Sequence, residues 1–385
     1  MGSGQPGLAA QPGFAAQLDA TLDQLSLRQL VGQLMVVGFA GARPPAELGA
    51  AFAAGERAGV VIFRRNVEPG LSGLGGLQRA CASFASSSPV GLPPLVAIDE
   101  EGGRVARLGP PALRLPPMRR LGELGDVGLI ERVAAAVARE LACLGVTTNF
   151  GPVVDVDTNP DNPIIGDRSF GREPDAVVER AAAYLRGLRA GGVAGCLKHY
   201  PGHGDTLLDS HLALPTVSHP RARLDAVELV PFQRLAAQAD SMMTAHVVYP
   251  ALDADRPATL SRAIASDLLR RELGFRGVLF SDDLEMQAIA GHGSVGASAV
   301  AAVRAGCDLL LVCSRPEMQA EVAGALLDAA EADDAFASRC REAARRGLAL
   351  RLAYPPRPGT PEQFASLQRE ELDPLAAELA RRGLA

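Results

Sequence analysis

Residues 175–205 read DAVVERAAAYLRGLRAGGVAGCLKHYPGHGD. The first half spaces its apolar residues three and four apart with arginines and acids between them, as an amphipathic helix does over 175–189. Glycines 191 and 192 then stop it. A short apolar run over 195–199 has the length and composition of a buried strand. It ends abruptly in Lys198, His199 and a glycine-rich polar loop, so the stretch reads as one repeat of a parallel α/β fold.

Working outward, strand-like runs recur at 34–39, 60–63, 95–99, 148–155, 195–199, 241–246, 278–281 and 308–313. Helix-like segments lie between them, at 131–144, 175–189, 223–239, 262–273 and 296–305, and Gly145, Gly191, Gly274 and Gly306 punctuate their ends. Eight strands alternating with helices close a TIM-type (β/α)8 barrel of the α/β class. A doubly wound open sheet would need a glycine-rich phosphate turn after its first strand, and none stands there. The barrel is expected as a single domain over residues 25–353, after an N-terminal extension over 1–24. A C-terminal tail over 354–385 opens on Pro355-Pro356-Arg357-Pro358-Gly359 and turns helical near Pro361.

The composition, 48% hydrophobic and 21% charged over 385 residues, suits a large buried core. A formal net charge of −6 argues against a nucleic-acid or anionic-membrane surface. The chain does not open on a basic segment followed by an apolar one, and no stretch reaches the roughly 18 apolar residues of a membrane span. Six scattered cysteines lack ligand spacing and read as buried free thiols. A cytoplasmic monomer without metal or cofactor, and with no nucleic-acid or membrane partner, is the expectation.

In such a barrel the active site is built at the C-terminal ends of the strands. Rare residues gather there. Three of the six histidines fall within 199–211, and three of the four asparagines within 149–162. Of 38 basic residues 37 are arginine, and the single lysine is Lys198. A compact ammonium is what the planar guanidinium cannot imitate, so its survival at a strand end points to a site.

Four motifs, IDEEGGRV (98–105), IIGDRSFG (164–171), KHYPGHGDT (198–206) with DSH (209–211), and FSDDL (280–284), resemble those of glycoside hydrolase family 3 and stand in the order that family has them. They match its single-domain β-N-acetylglucosaminidase branch, and the resemblance covers roughly residues 25–350. It implies a retaining β-N-acetylhexosaminidase that releases terminal N-acetylglucosamine from peptidoglycan (muropeptide) fragments. Asp282 then corresponds to the nucleophile, with Asp283 as competitor; strand alternation allows only one of the two to face a sugar. His211 corresponds to the general acid/base, with Asp209 as the carboxylate that orients it. Asp99, Arg107, Arg168, Lys198 and His199 correspond to the sugar-binding set.

Two departures are small: Glu100 stands where the family usually has glutamine, and Tyr200 where phenylalanine is common. The second domain of the family's classical β-glucosidases is not expected here, since residues 354–385 are too short to form it. Alternatives stay open. Phosphorolysis or β-glucosidase activity could run on the same scaffold. His199, His203, Asp209 and His211 could hold a metal, or the chain could bind sugar without catalysis. Arg168 could instead pair with an aspartate in 155–167. His203 and Asp205 are expected to shape the loop, His219 and His292 to lie on the surface, and His246 is a candidate pocket liner.

Overall fold

The computed structural model describes residues 13–207 and 214–384. Eight parallel strands close into a barrel: β1 Met35–Val37, β2 Gly59–Ile62, β3 Leu95–Ile98, β4 Thr148–Asn149, β5 Ala194–Tyr200, β6 Ser241–Thr244, β7 Val278–Asp283 and β8 Leu309–Val312. Each pairs with its sequence neighbours, and β8 closes on β1 through Met35 opposite Leu310 and Val37 opposite Val312.

Strand alternation divides the core in two. Val36, Val61, Ala97, Cys196, Phe280, Leu309 and Leu311 point inward and fill the barrel, with Phe150 set edge-on to Phe280 at 5.2 Å between ring centres. Their neighbours Met35, Val60, Ile62, Val96, Leu197 and Leu310 point outward and pack beneath the helices. Period two along each strand thus yields two apolar layers.

The helices approach one another closely where glycine permits. A Cβ on Gly187 would collide with the Glu131 carbonyl of helix Val127–Leu144, so helix Pro174–Ala190 reaches this neighbour only with hydrogen at that position. Outside the barrel, helix Phe14–Asp23 buries Phe14, Leu18 and Leu22 and pairs Asp19 and Asp23 with Arg345 and Arg341. The C-terminal segment runs as Pro361–Leu367 and then Asp373–Arg381, capped by Thr360, and buries Phe364, Leu372, Leu379 and Leu384.

The eight expected strands all occur, but their lengths differ. The run 148–155 is a strand only over Thr148–Asn149. Pro152 has no N–H to give the ladder, and the chain rejoins β5 one step later, where Val154 N–H donates to the Lys198 carbonyl at 2.8 Å. The helical segment 223–239 is two helices, Arg221–Ala226 and Val230–Leu235, because Pro231 restarts the turn. A hairpin, Val248–Tyr249 with Asp253–Pro257, follows β6 and left no clear sequence signal. Five cysteines are buried, Cys143 is partly so, and all six are free thiols. Among the described residues no helix is long and apolar enough to cross a membrane.

Candidate active site

A cavity of about 340 Å³ opens where the barrel's inner layer meets its C-terminal ends. Val61, Phe150, Met243 and Leu311 form its floor, so the site is the top of the core left unfilled. Around that floor stand Asp99, Glu101, Arg107, Arg168, Lys198, His199 and Asp282, each delivered by the end of a strand or the loop after it. The five expected sugar-binding residues and Asp282 therefore share one cavity.

Lys198 is buried and donates to Asp99 Oδ1 at 2.7 Å and Glu101 Oε1 at 2.5 Å. Burial alone would lower its pKa, but these two carboxylates outweigh burial and raise it, so it stays charged. Arg168 forks onto both oxygens of Glu101 at 2.8 and 2.9 Å, and Arg107 reaches Asp99 Oδ2 at 3.2 Å. Burial pushes the Asp99 and Glu101 carboxyls up; the cations more than offset this and hold both below the usual range. A donor-rich ring with ionised acceptors suits sugar hydroxyls, which donate and accept at once. The ion pair considered for Arg168 within 155–167 does not form; its partner is Glu101.

Asp155, fully buried, organises the next layer. It accepts the backbone N–H groups of His199 and His203, and its Oδ2 lies 2.7 Å from His199 Nδ1. That bond assigns the Nδ1–H tautomer to His199 and leaves Nε2 toward Arg168, 3.5 Å away. The Lys198–His199 peptide is cis, and the β5–β6 register shifts over Leu197 to Tyr200. The loop is anchored as it leaves the strand: Asn162 donates to the His203 carbonyl, His203 Nδ1 meets Thr206 Oγ1 at 2.7 Å, and Asp205 pairs with His219 at 2.6 Å. A Cβ on Gly204 would run into the Val156 carbonyl, so only glycine passes there. Of the two histidines expected on the surface, His292 is exposed and His219 is partly so, beside Asp205.

Contrary to the expectation from strand alternation, Asp282 and Asp283 both border the cavity, but they differ in environment. Asp283 Oδ1 accepts the N–H groups of Glu285 and Cys313, which tie it to its own backbone and to the end of β8, and burial pushes its carboxyl up to about 7. Asp282 is also opposed by burial, yet His246, His199 and Lys198 bring it below the ordinary range. At neutral pH Asp282 is therefore ionised, whereas Asp283 is only partly so. His246 is buried, its ring between Thr259 Oγ1 at 2.7 Å and the Asp283 carbonyl at 3.0 Å; it stands behind Asp282 rather than among the cavity-lining residues.

Asp209 and His211 lie outside the described residues, which end at Leu207 and resume at Leu214. Two residues escaped the sequence reading. Glu101 joins Lys198 to Arg168, and Asp155 fixes His199; both stand inside or beside the motifs, and being acids near the single lysine and a clustered histidine was their only signal. Among the described residues no group of three or more His, Cys, Asp or Glu has metal-binding geometry.

The profile of the glycosyl hydrolase family 3 N-terminal domain matches residues 26–350. A β-hexosaminidase of Chromobacterium violaceum is 42% identical over 267 residues, 67% of this chain and 72% of its own length. The solved β-N-acetylhexosaminidase of Beutenbergia cavernae superposes with TM-score 0.78 at 34% identity, covering 85% of this chain and 98% of that one. A family 3 β-N-acetylglucosaminidase from Paenibacillus gives TM-score 0.81 at 40% identity over 86% of this chain, which spans 63% of that longer protein. With its barrel, its cavity and these likenesses, the chain belongs to glycosyl hydrolase family 3.

Proposed function

We propose that this β-N-acetylhexosaminidase removes terminal β-linked N-acetylglucosamine from peptidoglycan fragments, with retention, by way of a glycosyl-enzyme ester on Asp282. The observation that carries the reading is the contrast between the paired aspartates: both border the polar cavity, but Asp282 is held below the ordinary carboxylate range by His246, His199 and Lys198, whereas Asp283 is tied to backbone amides and pushed up to about 7 by burial. In the first step Asp282 attacks the anomeric carbon while His211, oriented by Asp209, protonates the departing oxygen. In the second, His211 takes a proton from water, which attacks the same carbon and frees Asp282. The imidazole assignment rests on the DSH sequence at 209–211. Asp99, Arg107, Arg168, Lys198 and His199 hold the sugar's hydroxyls. Val105, Ile164 and Met286 offer an apolar wall that an acetamido methyl would cover. We assign the catalytic unit to residues 25–353 and the tail to 354–385, acting as a monomer. Six free thiols fit a reducing cytoplasm.

Paired aryl β-glycosides test the substrate. A site that hydrogen-bonds the acetamido group should prefer the N-acetylglucosaminide over the glucoside, by up to about 10⁴-fold in kcat/KM. Comparable values would contradict the reading. Release of a sugar phosphate on adding inorganic phosphate would turn the reaction into phosphorolysis.

A further inference from the structure

Away from the active site, a groove of about 680 Å³ runs along the barrel's flank between helices Ala263–Glu272, Val295–Ala305 and Asp334–Ala353. Eight arginines line it, in a protein whose net charge is −6. Arg270, Arg339 and Arg346 converge on one fully buried carboxylate, Asp308, at 2.6, 2.7 and 3.0 Å. Glu342, the one acid lining the groove among the described residues, is shared by Arg339 and Arg346. Arg271 and Arg304 pair with Asp267 and Asp333. Arg256, Arg262 and Arg276 are exposed and make no ion pair among the described residues. Eight guanidiniums thus meet four carboxylates, and the excess is concentrated in a concave space. Arg270 registers the crowding: burial, and then Arg346 and Arg339, keep its pKa below normal even though Asp308 opposes them.

We propose that this groove binds a small polyanion carrying two or more phosphate groups. Guanidinium forks match phosphate oxygens two at a time, and three groove arginines without an ion pair among the described residues, Arg256, Arg262 and Arg276, favour a ligand with several phosphates over one with a single phosphate. The volume lies within the range of small-ligand sites. The groove is bounded by three helices, and the remaining surface is net negative, so a compact ligand fits better than a long polymer. Phe336 and Ala301 give it an apolar side, with Arg304 stacked 4.9 Å over the Phe336 ring.

Tripolyphosphate is the probe, titrated calorimetrically into the full chain in a low-salt chloride buffer, with orthophosphate and a single-stranded DNA oligomer in parallel. One-to-one binding is expected, at least about tenfold tighter than orthophosphate. Arg256→Gln/Arg262→Gln/Arg276→Gln should weaken it about tenfold, three exposed charges contributing modestly each. Arg28→Gln/Arg43→Gln/Arg79→Gln, which removes equal charge elsewhere on the exposed surface, should leave the affinity unchanged, and both variants should keep wild-type aryl-glycosidase rates. Absence of saturable binding at millimolar tripolyphosphate would overturn the proposal. So would an equal loss in both triple variants, or tighter binding of the DNA oligomer than of tripolyphosphate.

Discussion

Two buried charge clusters occupy this barrel, and they are built differently. At the C-terminal ends of the strands, Lys198 bridges Asp99 and Glu101, Arg168 forks onto Glu101, and the cluster faces an open cavity. Near the start of β8, Asp308 is enclosed by Arg270, Arg339 and Arg346 and also accepts the Leu279 N–H of β7. The second cluster holds its carboxylate fully out of solvent and staples two helices to the barrel wall. In the first, cations and carboxylates hold one another charged while their remaining hydrogen-bonding capacity points at space. The difference teaches how to tell a site from a brace: both perturb pKa values strongly, but only the first turns its carboxylates as well as its cations to a void, while Asp308 is sealed beneath the arginines that line the flank groove.

The largest effect should come from Asp282. Asp282→Asn keeps the shape and removes the proposed nucleophile, so kcat should fall by roughly 10³–10⁵-fold with an unchanged circular-dichroism spectrum. A loss under about tenfold would move the nucleophile elsewhere. Next comes Lys198→Arg, which keeps the charge but cannot place one compact ammonium against two carboxylates at once in so small a space. It should lower kcat/KM about 10²-fold, measured on an aryl N-acetylglucosaminide. Arginine functioning equally well would show that the single lysine is incidental.

The two clusters also differ in how far they could be read from sequence. Asp99, Lys198 and Asp282 follow short apolar runs and share a strand face with the inward Ala97, Cys196 and Phe280, so strand periodicity delivers them to one rim, whereas His199 reaches the cavity against that alternation. The Asp308 cluster was not legible. Its arginines sit on two helices separated by long stretches of chain, and among 37 arginines nothing marks Arg270, Arg339 or Arg346. The short β4 and the hairpin after β6 were missed for a related reason: pairing partners decide where a strand stops, and those are non-local. Glu101 and Asp155 were visible as letters in the sequence, but their roles depend on which side chain each meets across the barrel.

Smaller effects sharpen the contrast from the other side. Asp308→Asn leaves three guanidiniums without their shared carboxylate, and should cost about 3 kcal/mol of stability in urea unfolding while kcat at low temperature stays near wild type. Asp99→Asn should do the reverse, so matching profiles for the two would erase the distinction between site and brace. Glu140, buried on helix Val127–Leu144 and accepting the Leu113 N–H, has its carboxyl pushed up to about 8 by burial. Between the ordinary value of 4.5 and about 8, the folded protein keeps a proton that the unfolded chain releases. Its contribution to stability is therefore fully present at low pH and declines as pH rises through that window. Glu140→Gln should be close to neutral at the acid end and stabilise by roughly 1–3 kcal/mol at the alkaline end. A gain that does not grow with pH would mean that Glu140 is not held protonated.

The most direct test of the central claim is to trap the intermediate. A slow 2-acetamido-2-deoxy-fluoroglycoside, or a 5-fluoro analogue that slows deglycosylation, should leave one sugar on the protein, and mass spectrometry of the peptide spanning residues 281–285 should place it on Asp282. Labelling of Asp283, whose carboxyl is tied to the Glu285 and Cys313 amides, or the absence of any covalent adduct under conditions of turnover, would contradict the account.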